Sequence, residues 1–275
     1  MITIAVDAMG GDIGLSVTVP ASVAFLERQN DVKLLMVGDE AKLQAALKSV
    51  NAPMDRISVI HASEVVDMDE DPRNALRHKK DSSMRVAINQ VKEGLAEAAV
   101  SAGNTGALMA TAKFVLKTIE GIERPAIAKF LPTSDGGLTC VLDLGANIDS
   151  TPEHLLQFAI MGSQLVQAVN PQVKSPRVGL LNIGSEEIKG NSTVKEAYHQ
   201  LQNSQLNFIG NVEGDDIFSG EVEVIVADGF VGNVALKTIE GTVKMMGQII
   251  KNEFNSSAFT KAQGLIAKPV LAQVK

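Results

Sequence analysis

Two rhythms of apolar and polar positions alternate along this chain. Short runs rich in β-branched residues are separated by longer stretches with apolar residues three and four apart. The runs ITIAVDA, VKLLMVG, ISVIHAS, AAVSAG, AIAKFLP, LTCVLDLG, RVGLLNIG, LNFIGNVE and VEVIVADG predict strands. Helical periodicity fills most of the gaps, over 40–50, 83–98, 105–119, 152–170, 193–203 and 231–254. Strands that are apolar on both faces and joined through helices pair in parallel by right-handed crossovers. The pattern therefore predicts an α/β fold, a doubly wound, mostly parallel sheet with helices on both faces. No repeat, low-complexity tract or linker interrupts it, so residues 1–275 are expected to form a single domain.

In such sheets ligands bind beyond the carboxyl ends of the strands, where loops lead into helix N-termini. Five of these junctions are rich in Gly, Asn, Asp or Ser: VDAMGGD, SAGNTGA, LDLGANID, LNIGSEEIKGN and ADGFVGN. None matches the dinucleotide fingerprint or the P-loop. In SAGNTGA, Gly103 and Gly106 allow close backbone approach, while Asn104 or Thr105 can cap a helix whose free amides face an anion. An oxyanion cradle and ordinary turn chemistry both fit that stretch. ADGFVGNVALK repeats the design with Asp228, Gly229 and Asn233, and is expected to turn Lys237 back toward the strand ends. LNIGSEEIKGN adds Asn182, Gly184 and Lys189, which suit either an anion site or a solvated loop.

Composition narrows the class. The 275 residues are 45% hydrophobic, 21% charged and 4% aromatic, which is globular usage with enough chain to bury a large core. A net charge of -7 argues against broad nucleic-acid binding. Against that sign, Arg73, Arg77, Lys79, Lys80 and Arg85 form a basic cluster, either a solvated helix face or a surface for an acidic partner. The single cysteine, Cys140, reads as a buried thiol. The four histidines lack metal-ligand spacing, and no G-x-S-x-G elbow is present. The first residues enter a strand without a secretory signal, and no apolar run reaches 18 residues, so a cytoplasmic protein is expected.

Taken in order, VDAMGGD, SAGNTGALMA, ERPAIA, LDLGANID, LNIGSEEIKGN, FIGNVEGDDIF and ADGFVGNVALKTIEG closely resemble the bacterial acyl-carrier-protein:phosphate acyltransferases of phospholipid synthesis. The resemblance runs from Ile2 to about Phe254. It implies a fold related to phosphate acetyltransferases and isopropylmalate-type dehydrogenases, a homodimer, and peripheral association with the inner face of the cell membrane. The downstream glycerol-phosphate acyltransferase is a further implied partner. Family members continue past the position of Lys275, with a segment that helps complete the sheet.

The implied reaction moves a fatty acyl group from acyl carrier protein to inorganic phosphate, without cofactor or metal. Positioning and charge stabilisation would dominate it. On that chemistry Ser101, Gly103, Thr105 and Gly106 are expected to cradle phosphate or the oxyanion beside Asn104. Lys189 and Lys237 would neutralise the dianion. Asn147, Asn182, Gly184, Asp228, Gly229 and Asn233 would orient substrates, Asp7 and Asp12 would fix the first loop, and the basic cluster would attract the acidic carrier. Two other readings are an NAD- and metal-dependent hydroxyacid dehydrogenase using Asp215 and Asp216, and a non-catalytic anion-binding scaffold. From Gly241 to Lys275 the chain is locally basic, with five lysines and one glutamate. There Val243, Met246, Ile250, Leu265 and Ile266 suit core packing, a dimer interface or an anionic lipid surface.

Overall fold

The computed structural model describes residues 1–273. They form two compact units, Met1–Pro125 and Ala126–Lys275, the last two residues of the second lying outside the described range.

The first unit contains β1 (Ile2–Asp7), α1 (Leu15–Arg28), β2 (Val32–Gly38), α2 (Glu40–Ser49), β3 (Ile57–His61), α3 (Pro72–His78), α4 (Ser83–Lys92), β4 (Ala98–Ser101) and α5 (Thr105–Leu116). Its four strands are parallel, in the order β3-β2-β1-β4. Alternate side chains serve opposite faces. Leu34 and Met36 pack with Val19, Leu26, Leu43 and Leu47 from α1 and α2. Ala5 and Val37 face Ala87 of α4 on the other side.

The second unit contains β5 (Ala128–Pro132), β6 (Leu138–Leu142), α6 (Pro152–Val169), β7 (Arg177–Leu181), α7 (Ser192–Gln202), β8 (Asn207–Val212), a 3-10 turn at Asp216–Phe218, β9 (Val224–Val226), α8 (Gly229–Phe254) and α9 (Ala258–Gln273). The strand order is β5-β6-β9-β7-β8, parallel except for the β5–β6 hairpin. Cys140, Leu142, Leu180 and Val226 meet Phe158 and Leu201 from α6 and α7 on one face. Val141, Leu181 and Ile225 face Ile217 and α8 on the other. Burial pushes the Cys140 thiol up to about 11, which leaves it protonated and inert.

All nine strand runs form strands, and the α/β architecture with helices on both sheet faces is as the pattern predicts. Helix ends differ from the periodicity. The helix expected over 83–98 stops at Lys92, because Gly94 adopts a positive φ of 71° before the chain enters β4. The one expected over 105–119 stops at Leu116, followed by Lys117 with φ 68°. α8 starts at Gly229 rather than 231, capped by the Asp228 carboxylate accepting from the Phe230 amide. α1 was hidden by Pro20, which removes one helical donor. Ser16, four residues earlier, is exposed like Pro20, so water can serve the carbonyl left without a partner.

Candidate active site

At the carboxyl end of β1 the chain places a charge where the apolar pattern stops. Asp7 is buried, and its Oδ1 accepts from the Gly10 amide at 3.1 Å and from Ser83 Oγ at 2.5 Å. Its Oδ2 accepts from Ser101 Oγ at 2.6 Å, and that oxygen accepts from the Gly103 amide at 3.0 Å. One carboxylate therefore joins the loop after β1, the first turn of α4 and the turn after β4. A side chain on Gly10 would collide with the Asp7 carboxylate and lie 3.1 Å from the Gly103 nitrogen. Asp7 thus fixes the first loop; Asp12 is exposed.

Asn104 is the N-cap of α5. Its Oδ1 accepts from the Ala107 amide at 3.0 Å, and its Nδ2 donates to the Met68 carbonyl at 3.0 Å and the Glu70 carbonyl at 2.9 Å. The side chain is committed to structure, holding the 67–70 loop over the helix start. Among the described residues nothing accepts from the Thr105 and Gly106 amides. These two donors lie at the positive end of the α5 dipole, beside Ser101 and Gly103.

The second unit repeats this device with a residue that motif reading passed over. Asp143, fully buried after β6, takes four donors. Oδ1 accepts from the Ile127 and Ala146 amides, both at 2.9 Å, and Oδ2 from the Asn147 amide at 2.7 Å and its Nδ2 at 2.9 Å. A lone acid ending the apolar run LTCVL was its sequence signal. The loop it organises lies directly on the start of α8. A Cβ on Gly229 would strike the Asn147 carbonyl, and one on Gly232 the Asp143 carbonyl. Asp228 reaches back to the Ser150 amide at 3.0 Å, and Asn233 lies against Gly145. Asn147, Asp228, Gly229 and Asn233 are thereby brought together.

Asn182, Gly184 and Lys189 occupy the loop after β7. Asn182 Nδ2 donates to the Lys189 carbonyl at 3.2 Å, and Asn211 Nδ2 donates to the Glu186 carbonyl at 3.0 Å from below. The Lys189 ammonium is partly exposed and 4.0 Å from Glu186. Lys237 does not turn toward the strand ends. Because α8 begins at Gly229, Lys237 lies about 12 Å along the helix axis, exposed and paired with Glu240 at 3.0 Å.

The basic cluster divides. The Lys79 ammonium donates to the Val65 carbonyl and pairs with Glu70 at 2.6 Å and Asp67 at 3.3 Å. The hydrogen bond with Glu70 raises the Lys79 pKa and lowers that of Glu70. Arg85 covers the Phe114 ring, 5.3 Å from its centroid, with Lys117 at 5.0 Å. Arg73, Arg77 and Lys80 remain exposed. Asp216 accepts from the Glu213 amide and opens a 3-10 turn. Among the described residues no group of three or more His, Cys, Asp or Glu is placed to hold a metal.

Known proteins resemble this chain in sequence and in fold. The chain is 63% identical over its whole length to the phosphate acyltransferase of Neisseria meningitidis serogroup C, and spans 78% of that protein. A phosphotransacetylase from Streptococcus pyogenes superposes with a TM-score of 0.65 at 18% identity, over 89% of this chain and 82% of that one. A 4-hydroxythreonine-4-phosphate dehydrogenase from Burkholderia phymatum gives 0.52 at 15% identity, over 87% and 84%. At these identities the two structures share the fold alone. The family model for fatty acid synthesis proteins matches residues 2–275, and with its full-length relatives this places the chain in the fatty acid synthesis protein family, among the phosphate acyltransferases.

Proposed function

We propose that the protein transfers a fatty acyl group from the thioester of acyl carrier protein to inorganic phosphate, releasing the carrier thiol and acyl phosphate for phospholipid synthesis. The observation that carries this reading is 63% identity over the whole of this chain to a phosphate acyltransferase, within a family match that covers residues 2–275. A phosphate oxygen attacks the thioester carbonyl, the tetrahedral oxyanion collapses, and the carbon–sulfur bond breaks with the electron pair leaving on sulfur. Phosphate is substantially dianionic near neutrality and a thiolate leaves readily, so the protein's task is positioning and charge stabilisation.

In this reading the Thr105 and Gly106 amides, with Ser101 and Gly103 beside them, hold an anionic oxygen at the start of α5. Asp7 and Asn104 act as positioning residues, keeping that turn and its neighbours in place. Lys189 offers positive charge beside Asn182 and Gly184, while Asn147, Asp228, Gly229 and Asn233 shape the neighbouring strand ends. Lys237, paired with Glu240 along α8, stands outside this set. Arg73, Arg77 and Lys80 are the exposed cations that suit the acidic carrier. Both units act as one acyltransferase domain, and the protein works as a cytoplasmic homodimer. The apolar, lysine-bearing face of α8 and α9 supports peripheral contact with anionic membrane, near the acyltransferase that consumes acyl phosphate.

The test is acyl-phosphate formation from palmitoyl acyl carrier protein and phosphate in the presence of chelator, without nicotinamide. Phosphate-dependent product is expected. Product only with NAD and a divalent cation would overturn the reading in favour of the dehydrogenase, and anion binding without turnover in favour of a scaffold.

A further inference from the structure

The strand order of the second unit makes neighbours of three loops that are distant in sequence. β9 lies between β6 and β7, with Val226 in register with Leu142 on one side and Leu180 on the other. Paired strands are about 4.8 Å apart, so the loops leaving β6, β9 and β7 emerge side by side at the carboxyl edge. Gly229 against the Asn147 carbonyl confirms the contact of the first two.

These loops carry the polar side chains already described, and each also turns a large apolar residue to solvent. Ile148 is 72% exposed after β6, Phe230 is 63% exposed after β9, and Ile183 and Ile188 are 82% and 77% exposed after β7. A solitary exposed isoleucine needs no explanation, but apolar side chains gathered at a polar-rimmed edge mark a ligand surface. The backbone of the loop after β7 is tied at several points. Asn182 and Asn211 bind its backbone at Lys189 and Glu186, and Asn191 caps α7 at its far end.

We infer that Ile148, Ile183, Ile188 and Phe230 form the surface on which the hydrocarbon chain of the acyl substrate lies. The occupant is argued from continuity with the site. These residues alternate in sequence with Asn147, Asn182, Lys189 and Gly229, so a thioester carbonyl held among the polar groups leaves its hydrocarbon tail on the apolar ones. A second apolar feature, a hollow of about 380 Å³ in the first unit lined by Val6, Val17, Phe25 and Val100, is the competing location.

The inference rests on the acyl-transfer reading and is tested by chain-length dependence. Wild-type protein and the variants Ile183→Ser/Ile188→Ser and Phe230→Ser are assayed with acyl carrier protein bearing eight-, twelve- and sixteen-carbon chains. Phe25→Ser serves as the variant of the competing hollow. The expected result is a fall of about tenfold in the sixteen- to eight-carbon ratio of kcat/KM for the first two variants, with the KM for phosphate unmoved and the ratio retained in Phe25→Ser. An unchanged ratio in both loop variants, or a changed ratio only in Phe25→Ser, overturns it. So does an equal loss at every chain length, which marks a carrier-protein contact, or a loss that tracks dissociation in sedimentation, which marks a surface between copies. Absence of wild-type turnover with any chain would instead remove the acyl-transfer reading itself.

Discussion

Replacing Asn104 by alanine removes several hydrogen bonds at once: the cap on the Ala107 amide and the Nδ2 donations to the Asp67, Met68 and Glu70 carbonyls. Losing an N-cap costs about 1 kcal/mol, and carbonyls left without a donor add to that. Asn104→Ala is therefore expected to lower the unfolding free energy by about 2 kcal/mol, measured by urea denaturation, with turnover falling as the 67–70 loop moves. Asn104→Asp keeps the cap but points a carboxylate at these carbonyls, so it should resemble the alanine variant. An alanine variant as stable as wild type but much slower would return Asn104 to direct substrate contact. Asp7 and Asp143 follow the same logic. Each is a buried charge whose oxygens are satisfied by loop donors, so each holds its loops in one arrangement.

Within α8 the same residue type has opposite meanings at different turns. At Gly232 a Cβ would meet the Asp143 carbonyl, and backbone cannot step aside as a flexible side chain can. At Gly241, about two and a half turns on, nothing lies within 4 Å. Gly232→Ala is expected to destabilise the protein by about 3 kcal/mol or more, whereas Gly241→Ala should stabilise it by roughly 0.5–1 kcal/mol through helix propensity. Chemical denaturation of the two variants checks both signs. Equal effects would mean that the start of α8 does not pack on the Asp143–Asn147 loop as described. That packing also determines where the helix begins, and hence why Lys237 lies beyond the strand ends.

At the scale of the whole molecule, the last two helices expose a series of large apolar residues. α9 turns back on α8 with Gly264 against the Phe254 ring, leaving Val243, Met245, Phe259, Leu265 and Ile266 exposed. Among the described residues no helix is long and apolar enough to cross a membrane. Helices that expose these residues and also carry Lys244, Lys261 and Lys268 suit an anionic bilayer, where apolar insertion and about 1 kcal/mol per lysine add together. Wild-type protein is expected to co-sediment with vesicles containing anionic lipid and a Leu265→Glu/Ile266→Glu variant to remain in solution, the two sharing one oligomeric state. Equal binding by the two would place the contact elsewhere.

Burial against a sheet imposes a local period, so the nine strands, most helices and the polar strand ends are visible in the order of residues alone. The ordered motifs at those strand ends are likewise linear, and they are enough to place the chain in its family. Strand neighbours are not a local property. The last strand of the second unit inserts between two earlier ones, and a pairing across more than 80 residues leaves no trace in periodicity. Nor does a motif reveal which of its polar groups are already engaged. Asn104 and Lys79 read as available for substrate or partner until folding brings Glu70 and the 65–70 backbone to them. Asp143 becomes the centre of its loop only once four donors converge on it. Hydrogen-bond donors and apolar side chains are assigned their partners by packing in three dimensions, so residue type was legible early and occupation was not.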